Sequence, residues 1–317
     1  MPRRELDKST PLIGLVGCGV WGRYILRDLT DHLGCEVVVV ARSDATRRRA
    51  QEGGASRIVS TVNEMGDVDG AVVATPTSSH YEVLQELLAV LPPAAPIYVE
   101  KPVTNSAHDA DSLLEAAPQR IFVMDKWRYH GGVRALAAIA QSGELGPVEG
   151  LHTIRVGWGN PHTDVDGIWI LLPHDLSIAL EILGALPPAR CAVADGQSAE
   201  PSQLHAHLGV DPWAVIEVST RRLQRQREVC LYCRDGMAIL PDAYARDIQI
   251  VRGRPDLNTN PPPAEDRPIP TEMPLLLELR AFVEHTRGGP PPKSSLADGV
   301  RIVHVIADLR ALAGLPA

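Results

Sequence analysis

Three glycines constrain this chain more than any other feature, because Gly17, Gly19 and Gly22 stand between a short apolar run and a helix-like stretch. The apolar run is Leu12 to Val16, and the helical stretch extends to about Leu33. In such a turn the first glycine allows the sharp bend, the second lets a ligand approach the backbone, and the third lets helix and strand pack closely. The spacing therefore predicts a binding site for the pyrophosphate of a dinucleotide.

The first 125 residues alternate strand-like and helix-like segments, which is typical of a parallel sheet covered by helices. The pattern predicts an α/β fold in which residues 1–125 form a doubly wound Rossmann domain. The strands after the first are predicted at Glu36 to Ala41, Gly70 to Ala74, Ile97 to Val99 and Ile121 to Met124.

After residue 125 the strand candidates follow one another with short turns, which predicts an α+β domain with a largely antiparallel, open sheet over residues 126–317. Residues 252–274 contain seven prolines, so we predict a long surface loop there. Two amphipathic helices are predicted at Pro274 to His285 and Leu296 to Ala313, and the last can pack back on the first domain.

Charge and composition narrow the partners of the chain. Its 31 Lys and Arg against 39 Asp and Glu leave a net charge of −8, which disfavours nucleic acid as a partner. The chain has no apolar run of membrane-spanning length and no signal-like N-terminus, so we expect a cytoplasmic location without a membrane partner. Cys230 and Cys233 lie in an alternating segment and are interpreted as strand residues, so no metal site is predicted.

The residues after the second predicted strand favour one form of the dinucleotide. An NAD enzyme usually carries Asp or Glu there, whereas this chain has Ala41, Arg42 and Ser43, with Arg47 and Arg48 one helical turn later as additional candidates. A guanidinium and a hydroxyl suit a 2′-phosphate, so NADP(H), bound as NADPH, is favoured over NAD(H). The alternative is that Arg42 is a solvated surface residue.

Two further motifs follow the carboxyl ends of predicted strands: ATPTSSH at residues 74–80 and EKP at residues 100–102. With the glycine turn before them, and with SGELG at 142–146 and PHDLSI at 173–178 after them, the chain resembles the glucose-fructose oxidoreductase, inositol dehydrogenase and MocA (Gfo/Idh/MocA) family. The resemblance implies an NAD(P)-dependent oxidoreductase acting on a sugar, a nucleotide-sugar or a related carbonyl or alcohol, with an imine as a further candidate. It also implies that the second domain binds substrate and forms a homo-oligomer, a dimer or a tetramer.

The resemblance implies that Lys101 of EKP and His174 handle the proton that accompanies hydride transfer. The family usually carries an aspartate four residues before this histidine, and here that position is Ile170. Isoleucine cannot accept a proton, so either Lys101 and His174 act alone or the chemistry differs from sugar oxidation. Asp164 and Asp166 are nearby carboxylates at other spacings.

The remaining candidate residues are of two kinds. The predicted cofactor contacts beyond those at the end of the second strand are Gly17, Cys18, Gly19, Val20, Trp21, Gly22, Thr75, Pro76, Thr77, His80, Glu100, Lys101 and Arg128. The predicted substrate contacts are Lys101, Arg128, Trp158, Asn160, Trp169, His174 and Asp175. For Arg128 a structural ion pair, and for the two tryptophans core packing, are the alternatives. For the whole chain the alternative is a non-catalytic NADP-binding sensor or scaffold, against which the presence of Lys101 and His174 argues.

Overall fold

The structure, a computed structural model, describes residues 10–160, 164–195, 201–254, 260 and 262–316. The chain forms two compact units: the first ends at Met124 and also includes Leu275–Val300, and the second comprises Asp125–Pro274 and the residues from Arg301 onward. The predicted boundary after residue 125 lies one residue from this division. In contrast to the prediction, Leu275–Val300 belong to the first unit.

The first unit contains a six-stranded parallel sheet in the order β3-β2-β1-β4-β5-β6, which confirms the predicted doubly wound sheet. The strands are β1 Leu12–Val16, β2 Glu36–Val40, β3 Arg57–Val59, β4 Gly70–Val73, β5 Ile97–Glu100 and β6 Ile121–Met124. The helices between them are α1 Gly22–Arg27, α2 Asp44–Glu52, α3 His80–Val90 and α4 Ala107–Ala116. The strand order reverses between β1 and β4, the place where open α/β sheets bind ligands.

Helix α7, Pro274–Thr286, completes the core of this unit. Its apolar side chains recur at helical spacing, and Leu279 and Phe282 are fully buried. The Phe282 ring stacks on the Tyr98 ring of β5 with 5.0 Å between centroids. This apolar stripe explains why a segment that follows the second unit in the chain belongs to the first.

The second unit contains an eight-stranded sheet in the order β14-β13-β12-β11-β7-β10-β9-β8, antiparallel except for the parallel pair of β7 and β10. Its strands are β7 Val148–Trp158, β8 Ala189–Ala194, β9 Gln203–Gly209, β10 Trp213–Ser219, β11 Arg221–Cys233, β12 Gly236–Leu240, β13 Asp247–Arg252 and β14 Glu265–Pro268. Its helices are α5 Gly131–Ser142 and α6 Gly167–Leu183, and α8 Leu296–Leu312 belongs to it from Arg301 onward. The mostly antiparallel sheet agrees with the prediction.

The proline-rich stretch is not a loop throughout. Strand β14 pairs with β13 inside it, so the prediction of a continuous surface loop over residues 252–274 is wrong for Glu265–Pro268. As the last strand of its sheet, β14 tolerates proline because one of its edges makes no ladder. Residues 255–259 and 261 lie outside the described part of the chain.

Among the residues that the structure describes, no helix is both long and apolar enough to cross a membrane. Within the same ranges, no three His, Cys, Asp or Glu side chains come together as metal ligands would. Cys230 and Cys233 lie on β11, as predicted for strand residues, and both are buried. Burial raises the pKa of the Cys230 thiol to about 11.

Candidate functional site

The turn after β1 shows why glycine is required at two of its positions. Gly17 has φ +93°, and a Cβ added there would lie 2.7 Å from the Ala74 carbonyl oxygen. A Cβ at Gly22 would lie 2.4 Å from the carbonyl oxygen of Gly17. A Cβ at Gly19, by contrast, would meet no described atom within 4 Å, so this position presents bare backbone to open space. This is the arrangement that lets a pyrophosphate approach the start of α1.

The other predicted residues of the glycine turn divide between interior and surface. The Cys18 side chain is fully buried in the core, so only its backbone can contact a ligand. Val20 is exposed, and Trp21 packs partly against the core. Beside the turn, the buried Thr75 hydroxyl oxygen has no hydrogen-bond partner among the described residues. A buried hydroxyl usually has a partner, so Thr75 and the open backbone at Gly19 both fit a bound dinucleotide.

The residues at the end of β2 are already engaged with the protein itself. The Arg42 guanidinium lies 3.2 Å from the Glu86 carboxylate of α3, and both side chains are exposed. The Ser43 hydroxyl accepts a hydrogen bond from the Thr46 backbone N–H and caps α2. Arg47 hydrogen-bonds to the Ser60 hydroxyl, and Ala41 is buried. A 2′-phosphate here would therefore compete with Glu86 for Arg42.

Two hydrogen bonds from neighbouring loops hold the EKP turn, residues 100–102. The Trp21 indole N–H donates to the Glu100 carboxylate and so joins the glycine turn to it. The His80 ring lies 2.8 Å from the Pro102 carbonyl oxygen through Nδ1 and 3.0 Å from the Thr75 carbonyl oxygen through Nε2. The loops that follow β1, β4 and β5 are thereby tied together at the carboxyl edge of the sheet.

The His80 side chain is only 1% exposed and both ring nitrogens are directed at backbone carbonyls, so the prediction that it contacts the cofactor is wrong. Its role in the structure is to position two loops. Pro76 lies on the outside of its loop, whereas Thr77 is buried. Lys101 itself is partly exposed in the turn that His80 and Trp21 support.

In the second unit, His174 lies on α6 beside a cluster of aromatic and cationic groups. Its ring meets the Trp127 ring edge-on, with 6.5 Å between centroids. The same indole stacks with His130 at 5.0 Å and lies 4.4 Å from the Arg155 guanidinium carbon. Burial lowers the pKa of His130, whose Nδ1 accepts the Gly132 N–H and whose Nε2 faces the Ala243 carbonyl oxygen at 2.9 Å. His130 is therefore a neutral cap of α5.

Asp175, a predicted substrate contact, is part of the interior. Its carboxylate lies 2.5 Å from Arg155 Nε, and the side chain is only 1% exposed. Burial raises the pKa of the Asp175 carboxyl, and Arg155 opposes that shift. The prediction of a substrate role is wrong, because a carboxylate paired inside the protein is not accessible to a ligand.

Arg128 and Trp169 are also structural. Arg128 Nε donates to Glu181 at 3.0 Å with both side chains largely buried, which supports the ion-pair alternative over contact with cofactor or substrate. Trp169 is buried and lies 5.6 Å from the Arg310 guanidinium carbon. The substrate role predicted for Trp169 is therefore wrong, and core packing accounts for it.

Asp166 does not replace the carboxylate that is missing at Ile170. It accepts hydrogen bonds from the backbone N–H groups of Ile168 and Trp169 at the start of α6, and it pairs with Arg310 at 2.6 Å. A carboxylate that caps a helix and is buried against an arginine is not a free base. Trp158 is 72% exposed, and Asn160 is exposed with its amide donating to the Val165 carbonyl oxygen at 3.3 Å. These two remain predicted substrate contacts at the surface.

Three arginines of the second sheet are not among the residues predicted from the sequence to form the site. Arg155 lies on β7, and Arg225 and Arg227 lie on β11. The available signal was four arginines within residues 221–227, two of them at the i, i+2 spacing that shares one face of a strand. The strand that pairs with them could not be read from the sequence.

The glycine turn, the reversal of strand order beside it and the tied loops define the first unit as a dinucleotide-binding Rossmann unit. Residues 12–123 match the model of the Gfo/Idh/MocA family, described as an oxidoreductase family with an NAD-binding Rossmann fold. The match over this segment confirms the resemblance found in the sequence.

Known proteins resemble the chain beyond this segment. Inositol 2-dehydrogenase 1 of Paenarthrobacter aurescens is 31% identical over 154 residues, 45% of either chain. Inositol 2-dehydrogenase of Burkholderia vietnamiensis is 26% identical over 313 residues, covering 90% of this chain and 89% of the relative. The structure of UDP-N-acetylglucosamine 3-dehydrogenase GnnA from Acidithiobacillus ferrooxidans superposes with a TM-score of 0.80 at 21% identity, covering 96% of this chain and 97% of the other. The matched segments span 38–45% of the length of three curated relatives, and the solved structure shows a shared fold.

Proposed function

We propose that the protein is an NAD(P)-dependent oxidoreductase that transfers a hydride between nicotinamide and a sugar, a nucleotide-sugar or a related alcohol or carbonyl compound. The observation that carries the proposal is the linkage of the glycine turn, the Thr75 loop and the EKP turn through Trp21, Glu100 and His80. Such a linkage keeps Lys101 in a fixed relation to the place where a dinucleotide would bind. The names of the relatives support a polyol or sugar as substrate.

A bound nicotinamide dinucleotide supplies or accepts the hydride. When an alcohol is oxidised, its C–H bond gives up the hydride and its O–H bond gives up a proton, so the protein must accept one proton at oxygen for each hydride transferred. The Lys101 amine is the proposed proton acceptor in oxidation, and its ammonium form is the donor in reduction. His174 is a second proposed proton-transfer group. Ile170, buried on the same helix, supplies no carboxylate.

The test is turnover on a broad panel. Purified protein should oxidise NADPH or NADH in the presence of at least one keto-sugar, nucleotide-linked keto-sugar or imine. The loss of nicotinamide absorbance measures this oxidation. The matched control is Gly19→Ala, whose Cβ would enter open space and obstruct the pyrophosphate without meeting another atom within 4 Å. Tight cofactor binding with no turnover on the whole panel would instead support the sensor alternative, which the missing carboxylate at Ile170 favours.

The preference for NADP(H) is a separate proposal that rests on Arg42 and Arg47. We expect NADPH to bind more tightly than NADH in a fluorescence titration. We also expect Arg42→Ala to weaken NADPH about tenfold and leave NADH unchanged, because one charge-assisted contact to phosphate is lost. Arg301→Ala, at an exposed position of α8 outside the residues assigned to the cofactor, is the control. Tighter binding of NADH by the wild type would overturn the proposal.

A further inference from the structure

Arg155, Arg225 and Arg227 gather on one side of the second sheet. In the ladder between β7 and β11, Arg227 stands directly opposite Arg155. A Cβ at Gly157 would lie 3.9 Å from both the Arg225 and the Arg227 side chains. Because Gly157 has no side chain, the side chains of Arg225 and Arg227 both lie close to its backbone. The Arg225 guanidinium carbon also lies 5.5 Å from the exposed Tyr244 ring.

The carboxylates around this cluster do not balance it. Asp175 is paired with Arg155 at 2.5 Å, and Asp175 and Asp242 are the carboxylates with the largest effects on the pKa of Arg227. Burial, and then the positive charges of Arg155 and Arg225, lower the pKa of Arg227 to about 10. The positive charges of Arg155 and Lys126 likewise lower the pKa of His130. Like charges directly opposite one another on neighbouring strands destabilise a sheet, so a bound anion would relieve a cost that the protein carries.

Hydrogen bonds to backbone carbonyls of β7 and β11 orient Arg227 without neutralising its charge. Its Nη1 donates to the backbone carbonyl oxygens of Val156 and Gln226, which are neutral acceptors. Arg225 is exposed and Arg227 is partly exposed, while Arg155 is buried behind them. The cluster is therefore layered, with a buried cation pinned by Asp175 and two cations nearer the solvent.

We propose that Arg225 and Arg227, supported by Arg155, bind a phosphate or carboxylate group of the substrate. The proposal rests on the proposed function and narrows it to anionic sugar derivatives. Trp127 links the cluster to His174, because the Arg155 guanidinium carbon lies 4.4 Å from its ring centroid and the His174 ring meets the same indole edge-on at 6.5 Å. An anionic anchor would hold the substrate where Ile170 offers no polar group to a sugar hydroxyl.

The test measures anion binding directly. The full-length protein is titrated by calorimetry with inorganic phosphate and, separately, with D-glucuronate, at an ionic strength held constant with chloride. We expect saturable binding of at least one of them that Arg227→Gln weakens by about tenfold or more. Binding of phosphate alone assigns a phosphoryl group, and binding of glucuronate assigns a carboxylate.

The matched control is Arg222→Gln, on the same strand and paired with Glu217 at 2.5 Å, which should bind the anion as the wild type does. Arg225→Gln, at an exposed position, is the second variant if Arg227→Gln fails to fold. Equal binding by wild type and Arg227→Gln, or no saturable binding of either anion, would overturn the proposal. Turnover of neutral sugars without anion binding would also overturn it while leaving the proposed function intact. Anion binding that depends on Arg227, without turnover of any substrate, would support the anion site and contradict the proposed function.

Discussion

Replacing Lys101 by alanine should lower kcat by about 10²–10⁴-fold, the range that a positioned proton-transfer group contributes. The affinity for NADPH should stay close to that of the wild type, because the glycine turn and the Trp21 contact to Glu100 do not involve the lysine side chain. Steady-state kinetics on the best substrate of the panel, combined with a fluorescence titration of NADPH, separates the two effects.

Lys293→Ala is the natural control, since Lys293 belongs to the small set of four lysines in the chain. It should leave kcat unchanged. A Lys101→Ala variant that retains wild-type kcat would remove Lys101 from the proton-transfer step. It would then shift that step to His174, whose replacement by asparagine becomes the next measurement.

Asp175→Asn should lower the free energy of unfolding of the second unit by about 3–5 kcal/mol, the cost of leaving one partner of a buried ion pair uncompensated. The effect should be large here because Arg155 would then stand opposite Arg227 without its carboxylate. Urea unfolding followed by circular dichroism gives the measurement. The double variant Asp175→Leu with Arg155→Met should recover much of the loss, since it removes both buried charges.

The exposed pair of Asp235 and Arg234, at 2.9 Å, provides the comparison. Asp235→Asn should leave the urea midpoint unchanged, because solvent and salt screen an exposed ion pair. A similar midpoint for Asp175→Asn and Asp235→Asn would show that the Arg155 pair contributes no more than a surface pair. The structural role assigned to Asp175 would then be wrong.

Five strands of the first sheet were predictable because they are short apolar runs, and the glycine turn was predictable because the φ of Gly17 and the crowding at Gly22 demand glycine. Strand β3 was not predicted, since it is only three residues long and its pairing with β2 defines it. For the second sheet, the closely spaced strand candidates predicted only its type, a largely antiparallel sheet. Strand β14 was missed, since three prolines in a row precede it and only its pairing with β13 defines it. The place of α7 was missed for a different reason. A stripe such as Leu279 and Phe282 predicts that a helix face is buried but does not say against which sheet.

The position of a residue in the fold was predictable where it follows the carboxyl end of a predicted strand, as for Gly19 after β1 and Lys101 after β5. The role of a side chain was not predictable where a partner distant in sequence decides it. Asp175 follows His174 directly, yet its role depends on Arg155, which lies on another element. His80 likewise depends on Pro102, 22 residues later. Electrostatic pairing and burial are properties of the packed chain, which single-sequence patterns do not contain.

The discontinuous first unit has a consequence for how the polypeptide matures. Its core includes Phe282. This core therefore cannot be completed during synthesis until the residues that follow the β-rich segment of the second unit have left the ribosome. The contact between Tyr98 and Phe282 closes a long loop of chain, and contacts of such high sequence separation form slowly. The first 124 residues of the nascent chain therefore lack the apolar cover that Leu279 and Phe282 provide until helix α7 has been synthesised.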